Sequence, residues 1–435
     1  MSRRRRENGI VILLVAVMLL FVVGAIAALA IDVVTLYTAR GEAQLAADGA
    51  ALAGARVLAN SGMTSDTTDA ALAANAQNLA RTIATQVAKH NEVGGRNLLS
   101  AEVVVSFNSG DLTFRTNPHV TVQTGRTDLP TFFARIWGRS TLTVSATATA
   151  EAYNPSGVNA LDLDVPVLPV APLCVKPWLL PNIAPTQLSA SGPQIFNPAT
   201  GAILNGDLIN QAWPAGNPGL HSVCPGGSCT GLIPPPLPGQ YYPGAIDATD
   251  FPVPAQALPA CSAGFNSYQL AIAGCVPRPI PCGAAATINI DTNAYVPNPA
   301  NRNADTAEAA RCLIHDNGAP TDVDTIDAAA APTPPPFQFL AGNKNPVASA
   351  IGKDVMVSDS LVTIPVYDSP GSPPPAPGAT VTVIGFLQVF LGRPNAANQI
   401  PATVINMVGC GNTAAGAPIL GNGPSAVPVR LVTPP

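Results

Sequence analysis

The sequence predicts an α+β protein on a membrane stalk. A long N-terminal helix crosses a membrane and continues into a small extracytoplasmic α+β domain, and a β-rich, Pro/Cys-rich, disulfide-stapled module follows. Three observations predict it. Ile10–Ile31 (IVILLVAVMLLFVVGAIAALAI) is 22 residues without a charge. The helical pattern runs on past it to Asn60 without a proline. All eight cysteines lie at or beyond Cys174.

Residues 1–9 form a basic tail containing Arg3–Arg6, and residues 10–31 are the span. About 20 apolar residues at 1.5 Å each cross a hydrocarbon core of ~30 Å. The basic run precedes the span and Asp32 is the first charge after it, so the tail is expected inside and the bulk outside a bacterial-type cytoplasmic membrane. A cleaved signal peptide ending at Ala28-Leu29-Ala30 is the rival, but such apolar cores run about 7–15 residues.

Residues 32–153 read as the small α+β domain. Asp32–Asn60 is rich in Ala and Leu, and Asn60-Ser61-Gly62 reads as its C-terminal cap. The resulting helix, from about 9 to 59, is ~75 Å long, more than twice the apolar thickness of a bilayer. A second helix is expected from a cap in Ser65-Asp66-Thr67-Thr68 to a stop near Gly94-Gly95. Strands are expected over Glu102–Phe107, Leu112–Arg115 and His119–Gln123, with a turn at Asn108–Asp111. Phe132–Trp137 reads as a short helix before Gly138, and Thr141–Ala150 alternates as a half-buried strand.

A boundary is placed at 154, because only Pro118 and Pro130 of 46 prolines precede it. In residues 154–435, Pro234–Pro236 and Pro373–Pro375 read as extended stretches. Strands are expected at Thr287–Ile290, Val355–Val357, Leu361–Val366, Thr380–Ile384, Leu387–Leu391 and Thr403–Val408, and a helix at Asp305–Ile314. Cys174, Cys224, Cys229, Cys261, Cys275, Cys282, Cys312 and Cys410 are disulfide candidates in an oxidising compartment. Their spacing contains no Cys-x-x-Cys, and eight cysteines allow 105 connectivities.

Only 11% of residues are charged, against about 25% in ordinary soluble domains, and the net charge is −5. No basic patch points to nucleic acid. No catalytic constellation, cofactor loop or metal-ligand spacing is present, so no cofactor is expected. Asp316, Asp322, Asp324 and Asp327 could grip calcium, though a polar loop is the simpler reading. Trp178, Trp213 and Tyr241-Tyr242 read as core or, alternatively, as a ligand surface.

The first 60 residues resemble the TadE/TadG-like proteins of the tight-adherence (Flp) pilus-assembly system. The resemblance rests on Gly9, the apolar stretch, Asp32, Leu36-Tyr37, Arg40, Gln44-Leu45 and Ala46-Ala47-Asp48-Gly49-Ala50-Ala51-Leu52-Ala53-Gly54-Ala55. Gly49 stands where the family has Ala. The resemblance implies an assembly component, with other pilus-assembly or secretion-system proteins and the lipid bilayer as partners. The Asp-x-Ser-x-Ser site of longer members is missing. Type IV prepilins place Glu five residues after the cleaved Gly, a position that is Leu14 here. Processing as a pilin is not expected. The alternative is an envelope adhesion module acting through its tail.

At 100° per residue, Tyr37, Arg40, Gln44 and Asp48 fall within about 80° of one helix face, which Ala51 and Ala55 continue. Gln44 and Asp48, four apart, can hydrogen-bond. This strip is the candidate partner-docking site, with a merely solvated helix side as its competitor. Gly24 and Ala28 form a small-xxx-small pair through which the span could form a homo-oligomer.

Overall fold

In the computed structural model the apolar run and the Ala-rich segment form one helix, α1, Arg3–Asn60. The residues described are 3–65, 69–108, 117–138, 140–158, 168–185, 192–209, 220–222, 239–246, 260–284, 286–290, 302–327, 338–368, 378–421, 423 and 425–432. Nothing in α1 interrupts the backbone ladder, since the segment has no proline and its commonest residues are strong helix formers. It stops where expected. Ser61 Oγ donates to the Leu58 carbonyl at 2.7 Å, and Gly62 turns the chain at φ +79°. A Cβ at Gly62 would lie 2.7 Å from Ile209 Cγ2 and 2.9 Å from the Ile405 carbonyl oxygen. Backbone conformation and space both select glycine.

The second helix, α2, is Ala70–Lys89. Its cap is Asp69, whose carboxylate accepts the N–H groups of Ala71 and Leu72 at 2.9 Å. This corrects the expected cap in Ser65–Thr68, of which 66–68 lie outside the described residues. α2 buries Ala73, Ala76, Ala80, Ala84 and Ala88. These recur every three or four residues, so they share one face. α1 buries Ala39, Ala43, Ala46, Ala47, Ala50, Ala51 and Ala55 in the same core. Alanine on both sides lets the two backbones approach closely.

Against α1 lies an antiparallel meander of β1 (Val103–Phe107), β2 (His119–Pro130) and β3 (Thr141–Ala152). β2 runs seven residues beyond the expected His119–Gln123. Gly125, Asp128 and Pro130 are poor strand formers, but pairing with β3 carries the strand past them, with a register shift between Arg126 and Leu129. The expected strand Leu112–Arg115 lies outside the described residues. Phe132–Trp137 tightens into a 3-10 turn at Ala134–Trp137, closed by Gly138.

The remainder adds β4 (Trp178–Pro181), β5 (Gln240–Pro243), α3 (Ser267–Ala273), β6 (Thr287–Asn289) and α4 (Arg302–Leu313). β7 (Leu361–Tyr367), β8 (Thr380–Leu391) and β9 (Ala402–Gly409) follow. β8 pairs antiparallel with β7, β9 and β6, while β7 runs parallel to β4 and β4 antiparallel to β5. Two separate strands were expected over Thr380–Leu391. They are one, because Gly385 sits opposite Gly409 and the pair receives the Phe196 ring. A Cβ at Gly385 would lie 2.8 Å from Phe196 Cε2. The glycine is a slot for a ring, not a turn.

Among the described residues three disulfides form: Cys174–Cys275, Cys261–Cys312 and Cys282–Cys410. Cys224, Cys229, Trp213, Pro234–Pro236 and Pro373–Pro375 lie outside the described residues. The last strand, β10 (Val429–Val432), returns to pair with Thr149–Ala152 of β3, so the N-terminal sheet is ordered β10-β3-β2-β1. One apolar cluster continues from the alanines of α1 and α2 to Leu179, Tyr242, Phe386 and Val408.

Candidate docking face along the long helix

Three sites along α1 decide what the helix can present. At its base Asp32 is almost fully buried. Its Oδ1 accepts the N–H of Phe132 at 2.9 Å, and its Oδ2 accepts those of Phe133 at 3.1 Å and Ala134 at 2.7 Å. Burial by itself would raise the Asp32 pKa, but the three N–H groups outweigh it and hold the carboxyl below its ordinary range. Asp32 thus caps the 3-10 turn, using a carboxylate where orphan N–H groups collect. One turn lower, Ala28 is covered by the chain itself, so of the small pair only Gly24 stays open.

In the middle, Tyr37 is 71% exposed, Arg40 and Gln44 are exposed, and Asp48 is half-buried. Gln44 Nε2 donates to Asp48 Oδ1 at 2.8 Å, the contact expected from their spacing. Ala51 and Ala55, expected to extend this strip, are fully buried. The open strip therefore ends at Asp48, because the helix beyond it is packed on both sides. Val34 and Leu45, exposed like Tyr37, flank the strip and were missed by sequence reasoning. The 100° helical wheel would have shown them beside Tyr37, within about 80° of it. Glu42 points the other way: its Oε2 accepts the Gly94 N–H at 2.7 Å. Arg126 Nη1 donates to the Gly94 carbonyl at 2.8 Å and to that of Val93, so the Glu92–Asn97 hairpin is tied to β2 by Arg126 and to α1 by Glu42.

At its top α1 enters a buried polar joint. Asn406 donates from Nδ2 to the Ala59 carbonyl and accepts at Oδ1 from Ser65 Oγ and Thr64 Oγ1. Ser65 Oγ accepts the Met407 N–H at 2.8 Å. Asn154 Nδ2 donates to the carbonyls of Thr64 at 3.1 Å and Met407 at 2.9 Å. Such a network fixes the end of α1 to β9 in one register.

Residues 9–57 match the Tad family model, Flp pilus-assembly TadE/G-like. No curated protein and no solved structure matches the chain. The match covers the apolar run, Asp32 and the whole Tyr37–Asp48 strip, and it suggests involvement in Flp pilus assembly. The residues that carried the TadE/TadG resemblance are those the model matches, and members of that family are pilus-assembly components.

The other candidates are engaged within the chain. Asp316 Oδ2 accepts from Arg393 Nε at 3.0 Å. Asp322 Oδ2 accepts the Ala319 N–H at 3.2 Å, and Asp324 accepts from the Gly342 N–H, Asn345 Nδ2 and Ser358 Oγ. These carboxylates organise loops. Trp178, Tyr241 and Tyr242 are fully buried, and Tyr241 and Tyr268 share the Thr306 hydroxyl at 2.9 Å. They form core, not a ligand surface.

Proposed function

We propose that this chain is a membrane-anchored assembly component of a Flp-type pilus or a related secretion apparatus. Residues 1–9 stay in the cytoplasm, 10–31 cross the inner membrane once, and the α+β domain (32–153) and the Pro/Cys-rich region (154–435) face the periplasm. The observation that carries the reading is the open strip Tyr37, Arg40, Gln44 and Asp48, flanked by exposed Val34 and Leu45, on the helix matched to the TadE/G-like family. A mixed apolar and charged helix face suits a second helix of the assembly machinery, with Tyr37 and Leu45 as anchors and Arg40 and Asp48 setting register.

The experiment is co-purification of assembly proteins from membranes. Asp48→Ala leaves a partner's polar group unpaired at ~1–3 kcal/mol, so recovery falls about five- to a hundred-fold. Tyr37→Ala and Leu45→Ala lower it as well, with expression and membrane insertion unchanged. Thr82→Ala, on the far side of α2, is the control, since Glu42 is tied to Gly94 and would disturb the fold. Wild-type recovery from all three strip variants defeats the docking role.

A further inference from the structure

The Asp32 site has a consequence for how the protein sits on its membrane. Asp32 follows directly on Ile31, so it lies ~1.5 Å past the apolar run along the helix axis. The three N–H groups it holds belong to Phe132, Phe133 and Ala134, which brings that turn to the same height. The folded chain reaches lower still. Every residue from Ile10 to Ile31 is exposed except Ala28, which is 6% exposed although it lies one turn inside the apolar run. At this level the first residue of the turn, Phe132, is 63% exposed.

A lone exposed Phe on a soluble surface needs no explanation. This one stands on the turn that Asp32 holds at the end of the apolar run. Aromatic side chains collect at the bilayer–water interface, and backbone polar groups near lipid have to be satisfied within the protein. Asp32 supplies that satisfaction for three consecutive N–H groups, so the turn can approach hydrocarbon without orphan donors.

We propose that the Phe132–Trp137 turn is a second membrane contact, with Phe132 seated in the lipid interface beside α1. Two contacts restrain a domain that a single helix would leave free to tilt, and they hold the Tyr37–Asp48 strip at a set height above the bilayer. The inference rests on the reading of Ile10–Ile31 as a membrane span.

The test uses the full chain with its disulfides intact, reconstituted in phosphatidylcholine nanodiscs. Single cysteines replacing Phe132, Leu29 or Leu420 carry an environment-sensitive fluorophore, and lipids with a nitroxide near the headgroup act as quencher. Leu420 is an exposed position far along the chain. We expect quenching at 132 to reach at least half that at 29 and to exceed that at 420 three-fold or more. Adding Asp32→Ala should lower quenching at 132 toward the 420 level while leaving 29 unchanged. Strong quenching at 29 with none above the 420 level at 132 overturns the second contact and leaves the anchor intact. Absence of quenching at 29 overturns both.

Discussion

Two buried amides in neighbouring strands face opposite fates, and the contrast gives a sharp stability prediction. Thr363, Gln388 and Asn406 stand opposite one another on β7, β8 and β9, and each is fully buried. Asn406 is satisfied by Ala59, Thr64 and Ser65 at the end of α1. Gln388 has no hydrogen-bond partner for either Oε1 or Nε2 among the described residues. Replacing Asn406 by Leu keeps the branched outline of the side chain but strips two or three buried groups of their partner. At ~1–3 kcal/mol each, stability falls by about 2–9 kcal/mol, a large part of a typical total. Replacing Gln388 by Met removes an uncompensated amide and adds apolar surface, so stability rises by about 1–3 kcal/mol. Pulse proteolysis of the full chain in detergent across a urea series reads both changes. If both variants shift the midpoint in the same direction, or neither by more than ~0.5 kcal/mol, the account of this polar joint is wrong.

Further outcomes follow from other sites. Lys176 is fully buried and donates from Nζ to the carbonyls of Ile272 at 2.6 Å and Gly274 at 2.7 Å; burial, opposed by the charge of Asp359, pushes its pKa down to about 7. Between about 7 and the ordinary 10.5 the unfolded chain holds one proton more than the folded one, so stability rises with pH across that window and levels off below it. At ~1.4 kcal/mol per pH unit the rise is at most about 5 kcal/mol, less what the two carbonyls return to the ammonium, and Lys176→Met should flatten the urea midpoint against pH. Truncation after Ser425 removes β10 and the 2.7 Å Arg430–Glu151 contact, opening the edge of β3. A loss of ~2–4 kcal/mol by thermal denaturation is expected from the ladder hydrogen bonds, and an unchanged midpoint would show that the edge does not need covering. Reduction with dithiothreitol opens bridges that close separations of 101, 51 and 128 residues, each worth ~4–5 kcal/mol of chain entropy. Limited proteolysis should then cut 174–410 well before 70–108, and equal rates would contradict this.

What could be read without coordinates was whatever local chemistry decides. The 22-residue apolar run, the unbroken helix to Asn60, the glycine stop at Gly62, and the strands beginning at Thr141, Leu361 and Ala402 all answer to composition, periodicity and missing prolines within a few residues of one another. The face bearing Tyr37, Arg40, Gln44 and Asp48 was legible for the same reason, since helix geometry alone sets which residues share a side. Its limits were not. Ala51 and Ala55 continue the periodicity but lie under α2 and the sheet, and no property of α1 announces its neighbours. Distance along the chain hid the rest. Asp32 holds Phe132–Ala134 across 100 residues and Asn406 holds Ala59 across 347. β10 joins β3 from the far end of the protein. β4 and β5 are four residues each and contain or border prolines, so their strand character comes from the partners they pair with. Gly385 looked like a break and is a seat for Phe196, because a missing side chain leaves room only where the fold brings something to fill it. The sequence by itself determined the helix and the side it offers. The tertiary structure decided how much of that side stays open and what ties each end of the helix down, since both depend on contacts between residues that are neighbours only in space.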